Sequence, residues 1–202
     1  MLAPFASLPT RSLPNSSVPP NCRFEVDDAE DEWIFTHKFD YIHGRYLIGG
    51  LGDFPKVFRS CFANLNPGGW AEFQEYYAEF QCIDDSLRGT ALEKWNQLFL
   101  EGVEKAGKNG RSAARFRKQM AEAGFVDVVE RKFALPGNPW AKGQTQKMLG
   151  LMQMTNILDG IQGMTVGLFT KVLGWTAQEV EVFLVNVRKD LKDTNIHFYY
   201  VV

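Results

Sequence analysis

Cysteine is scarce: there are three in 202 residues, Cys22, Cys61 and Cys82, and none stands at C-x-x-C spacing. An odd, scattered set argues against a disulfide framework and a zinc knuckle, and fits a reducing compartment. Net charge is nearly absent as well. A formal charge of -2 gives no field to gather nucleic acid or an anionic membrane surface, so neither is expected as a partner. No apolar run reaches the roughly 20 residues that a spanning helix needs. The N-terminus has no basic segment ahead of an apolar one, so the chain is expected in the cytoplasm or nucleus rather than secreted. The G-x-S-x-G, Walker and H-E-x-x-H patterns are missing, and His37, His43 and His197 lack metal-ligand spacing. Hydrolase, nucleotidase and zinc-protease chemistry are therefore without support, and no bound metal is expected.

What is present suits one globular domain. Five of the nine prolines fall within the first 20 residues, which makes 1–21 an irregular lead-in and places ordered chain at 22–202. Beyond it, strand and helix patterns alternate. Arg23 to Val26 and Phe39 to Tyr46 read as strands. Asp53 caps a helix with Pro55 in its first turn and an apolar stripe through Phe54, Val57, Phe58, Cys61, Phe62 and Leu65. Asn66-Pro67-Gly68-Gly69 stops that helix and turns into a strand from Trp70 to Tyr76. Strand, helix, turn and strand form a crossover unit, which implies parallel pairing. A second helix follows with Leu92, Trp95, Phe99 and Val103 inward. Ser112 is expected to cap a third, which leads into a β-rich run, Phe125 to Leu135. Gln144 to Trp175, broken by glycines, reads as two short helices, and Thr176 with Glu179 forms a capping box for the last helix before a final strand at Ile196 to Val202. The fold class is α/β with a largely parallel sheet and flanking helices, which one antiparallel strand can close.

In open α/β sheets ligands bind beyond the carboxyl ends of the strands. The candidates are then Asp27, Asp28 and Ala29 after the first strand, His43, Arg45 and Tyr46 on the second, and Gln74, Glu75 and Tyr76 on the third. An aspartate at such a place can accept from the exocyclic amine of adenine while following amides donate to ring nitrogens; the bland alternative is a solvated acidic turn. A rival site is the loop Gly49-Gly50-Leu51-Gly52, with Glu75 at the offset of a ribose ligand, although Pro55 occupies the third glycine position. Met148, Met152, Met154 and Met164 suggest either core filling or a plastic lid over substrate.

The blocks "VPPNCRFEVDDAEDEW", "FDYIHGRYL", "NLNPGGWAEFQEY" and "MAEAGFVDVVERKF", in that order, resemble class I S-adenosylmethionine-dependent methyltransferases, in particular the fungal LaeA-like group named for a regulator of secondary metabolism. The resemblance implies a Rossmann-like sheet, with helical lid or insertion segments around 84–110 and 143–175. It implies S-adenosylmethionine as cofactor, with Asp28 and Ala29 at the adenine, Asp27 their neighbour, and His43, Arg45 and Tyr46 towards the methionine part. Gln74, Glu75 and Tyr76 then face a small-molecule methyl acceptor of fungal secondary metabolism, Glu75 as a base or orienting group. No single catalytic residue is implied, because methyl transfer depends mostly on alignment.

The resemblance also implies a first strand, a glycine-rich cofactor loop and a second strand ahead of the acidic turn, and proline-rich sequence stands there instead. The expectation is the later part of such a domain, with weakened cofactor binding and a bare sheet edge open to a protein partner or to self-association. The alternative is a non-catalytic, truncated homologue that works as a partner-binding or regulatory module.

Overall fold

The computed structural model describes residues 19, 21, 22 and 24–202; most of the proline-rich lead-in and Arg23 lie outside these. Strand β1, Phe39–Arg45, is followed by helix α1, Phe54–Asn64, and strand β2, Leu65–Gln74. The two strands pair in parallel, as a crossover requires. Their register jumps from Phe39 opposite Leu65 to Tyr41 opposite Trp70, so Asn66 to Gly69 bulge out between the two pairs. The expected turn is therefore real but sits inside the strand. Gly68 there has φ +82°, a conformation that disfavours side chains. Asp53 caps α1, accepting from the Lys56 amide at 2.9 Å.

One face of the pair packs on α1 and on α3, Phe116–Glu122. Phe58 lies fully buried between the Phe73 and Phe116 rings, with centroids 4.8 and 5.0 Å away. Gly44 permits this closeness, since a Cβ there would stand 2.7 Å from the Phe73 ring. The other face carries Tyr41, His43, Arg45, Trp70, Glu72 and Gln74, all exposed. Parallel sheets are ordinarily covered on both faces.

A larger core joins α2, Ala91–Lys105, α4, Gln144–Lys171, and α5, Ala177–Lys192, around strand β5, Phe198–Val201. Strand β5 is central in an antiparallel sheet, between β3, Gln81–Cys82, and β4, Ala134–Pro136. Helix α5 begins with the expected capping box, in which Glu179 and Thr176 satisfy each other's amides. The Tyr77 amide donates to the Val201 carbonyl at 2.8 Å and ties the run beyond β2 to this second sheet.

Four local expectations are corrected. Phe24 to Val26 form no strand, because no described strand lies beside them to complete a ladder. Only Ala134 to Pro136 of the β-rich run pair as strand, and Val126 and Val129 stay exposed. Helix α4 is one helix of 28 residues rather than two short ones. Its glycines do not break it: Gly150 packs against the Asn138 backbone, where a Cβ would clash. Ser112 opens a 3-10 turn, Ser112–Arg115, without a capping bond, and its buried hydroxyl has no partner among the described residues.

Candidate functional site

The acidic turn builds a cavity of about 310 Å³ against the first half of β1, with Asp27, Asp28 and Ala29 facing Trp33, Phe35, Phe39 and Ile42. Its shape comes from local bonds. Asp27 Oδ1 accepts from the Asp28 amide and Asp28 Oδ1 from the Glu30 amide, both at 2.9 Å, while the Trp33 indole donates to the Ala29 carbonyl at 3.0 Å. Asp28 Oδ2 and the Ala29 amide have no partner among the described residues. One acceptor and one donor on successive residues are the two kinds of group that an amine and a ring nitrogen on one edge of adenine would need.

A second cavity, also about 310 Å³, opens beyond the carboxyl ends of β1 and β2. Tyr46 and Tyr76 stand there with centroids 5.6 Å apart. Tyr46 has φ +54°, and Arg45 lies over its ring at 4.9 Å. The remaining walls come from Phe80, from Trp95 and Phe99 on α2, from Gln153, Asn156 and Gly160 on α4, and from Tyr200 on β5. Burial raises the Tyr76 and Tyr200 hydroxyls above the usual tyrosine range, so both remain protonated at neutral pH.

The nine candidate residues are thus separated. Asp27, Asp28 and Ala29 line the first cavity, and Tyr46 and Tyr76 the second. His43, Arg45 and Gln74 lie on the open sheet face, where Gln74 donates to Glu72 at 2.8 Å and Tyr41 bonds the same carboxylate. Glu75 is buried and turned to the chain after β1, accepting from the Leu47 amide, while its Oε2 has no partner among the described residues. Burial raises its carboxyl above the ordinary range, against the lowering pull of the Leu47, Ile48 and Tyr76 amides.

The rival glycine loop is already engaged. Glu30 Oε1 accepts from the Gly52 and Asp53 amides at 3.0 and 2.6 Å, and Lys108 Nζ donates to the Gly50 carbonyl at 2.9 Å. A carboxylate occupies the place where a phosphate would dock, and Glu75 is not free to meet a ribose. For S-adenosylmethionine the described residues therefore offer groups of the right kind at an adenine end, and this loop offers no cradle for the rest. Sequence reasoning placed Met164 and a helical lid over 143–175 here as one alternative, but missed the polar and glycine positions of α4. Their signal was present: Gln153, Asn156, Gly160 and Met164 recur at i, i+3, i+7 and i+11 on one helix face.

A parallel crossover unit with cavities beside one strand and beyond the strand ends is the arrangement in which open α/β folds place their ligands. Residues 6–130 match the family model described as "Methyltransferase domain", and the chain belongs to that family, in its LaeA-like group. It is 36% identical over 183 residues to "Methyltransferase pytC" of Aspergillus terreus, covering 90% of this chain and 56% of the relative. It is 34% identical over 179 residues to "Probable methyltransferase tdiE" of Emericella nidulans, covering 88% and 56%. "Secondary metabolism regulator laeA" of Monascus pilosus is 30% identical over 187 residues, covering 90% and 50%. The chain thus spans about half the length of these relatives. Among the described residues no helix is long and apolar enough to cross a membrane, and no cluster of His, Cys, Asp or Glu could hold a metal ion.

Proposed function

We propose that the protein is an S-adenosylmethionine-dependent methyltransferase acting on a small molecule of fungal secondary metabolism. The observation that carries the reading is Asp28 Oδ2 beside the Ala29 amide, both without a partner among the described residues, in an aromatic-walled cavity within a chain of the methyltransferase family. The cofactor, when bound, supplies an electrophilic methyl group on sulfonium. Asp28 and Ala29 would hold its adenine, with Asp27 shaping the turn, and Tyr46 and Tyr76 would orient the acceptor and exclude water at the strand ends. Glu75 fixes the loop that carries Tyr46 instead of serving as a base, since its carboxylate faces backbone amides. The segments 84–110 and 143–175 would cover the acceptor as α2 and α4.

The test is calorimetric titration of the folded 202-residue chain with S-adenosylmethionine and S-adenosylhomocysteine, beside an Asp28→Asn variant. Micromolar binding that weakens at least tenfold in the variant supports the reading, and absence of heat refutes it for this chain. The open face of β1 and β2 supports a second reading, a non-catalytic module that binds a protein partner or a second copy there. A concentration-dependent mass in sedimentation, abolished by Trp70→Lys, would favour that reading through self-association.

A further inference from the structure

We infer that the strand-end cavity takes an uncharged, flat, fused-ring aromatic molecule with a hydrogen-bonding edge. The inference rests on the methyltransferase reading, of which it names the acceptor class. The walls supply the first argument. Trp95 and Phe99 stack at 5.2 Å with planes 21° apart, and Phe80 lies 5.9 Å from Trp95 at 31°; Phe80 and Trp95 are buried, so the half-buried Phe99 ends the ladder with an open ring. Ring faces of this kind reward offset stacking by another planar ring.

The polar groups supply the second argument. Asn96 and the Trp95 indole look available, yet neither is. Asn96 accepts from the Phe80 amide at 2.9 Å and donates to the Ala78 carbonyl at 2.6 Å, and Trp95 donates to Thr165 Oγ1 at 2.9 Å. The floor is therefore apolar in effect. The Tyr46 and Tyr76 hydroxyls and the Asn156 amide have no hydrogen-bond partner among the described residues, and they stand where a ligand's hydroxyl or amide edge can meet them. Among the described residues no Asp, Glu, Lys or Arg side chain lines the cavity, and the one charged group at its rim is the terminal carboxylate of Val202, which disfavours anionic ligands such as nucleotides or carboxylic acids. Its volume of about 310 Å³ lies at the small end of ligand pockets, which commonly run from about 300 to 1,000 Å³.

Gly160 makes the inference testable. It lines the cavity, and a Cβ there would meet only Met164 Cε, at an ordinary 3.7 Å, so a larger side chain fills the space without disturbing backbone. Gly163, on the same helix, faces open space and serves as control. The 202-residue chain, Gly160→Leu and Gly163→Leu would each be titrated calorimetrically with 2-naphthol and with its saturated counterpart, decahydro-2-naphthol, after circular dichroism shows equal helix content. The expected result is at least tenfold tighter binding of 2-naphthol than of the saturated ring, loss of at least tenfold in Gly160→Leu, and parent affinity in Gly163→Leu. Equal binding of both probes, or unchanged binding in Gly160→Leu, overturns the inference. Neither probe requires the cofactor, so the two readings fail separately. Naphthol binding without S-adenosylmethionine binding sinks the methyltransferase reading alone, and cofactor binding without naphthol preference sinks the aromatic site alone.

Discussion

Replacing Phe58 with alanine is expected to unfold one half of the protein before the other. Phe58 has no exposed surface and makes edge-to-face contacts with Phe73 and Phe116. Truncating such a side chain costs about 3–5 kcal/mol in lost burial and residual cavity. Whole domains are stable by only about 5–15 kcal/mol. The core around Phe58 has four buried members, Ile48, Phe54, Phe58 and Phe116, whereas the helical core has fourteen, so the loss falls on the smaller unit. At about 1.4 kcal/mol per factor of ten, the opening equilibrium of α1, α3 and the parallel pair rises by two to four orders of magnitude. Hydrogen exchange followed by mass spectrometry reads this directly. Peptides from α1 and β2 should lose protection by that amount while those from α2, α4 and α5 keep theirs. An equal loss in every peptide would refute the reasoning and show that the two cores open as one.

The raised Glu75 carboxyl means the folded state keeps that proton to higher pH than the unfolded chain does, so its contribution to stability falls as pH rises from the ordinary glutamate range through the raised value. Glu75→Gln preserves the bond from the Leu47 amide and should flatten that decline, seen as parent-like melting at acidic pH and a higher Tm at pH 7; a lower Tm at pH 7 would contradict the assignment. Thr176→Ala removes half of the α5 capping box and should cost about 1 kcal/mol, or about 2–4 °C in Tm, with Thr176→Ser restoring most of it.

The elements legible in the sequence are those whose signals are local. Asp53 with Pro55 and the Thr176 and Glu179 box mark helix starts through bonds made within one turn, and both stand in the structure. The strand pattern at Phe39 was readable because its partner follows one crossover later. The misreadings concern context. The β-type residues at Phe24 to Val26 need a neighbouring strand, and a run of apolar residues cannot supply one by itself. Glycines in α4 looked like breaks because their individual helix cost is visible in sequence, whereas the packing of Gly150 on Asn138 is not. The site divides in the same way. The residues of the acidic turn are neighbours in sequence and could be named together, while the aromatic cavity needed Trp95, Asn156 and Tyr200 to be brought together from α2, α4 and β5.

Tyr46 holds a backbone conformation that a glycine or asparagine adopts more readily, and it does so where β1 ends and the strand-end cavity begins. Selection for foldability and selection for chemistry therefore pull in opposite directions at this position. Relaxing the turn with a glycine would remove one ring from the cavity wall, so the fold gains at this position only what the cavity loses.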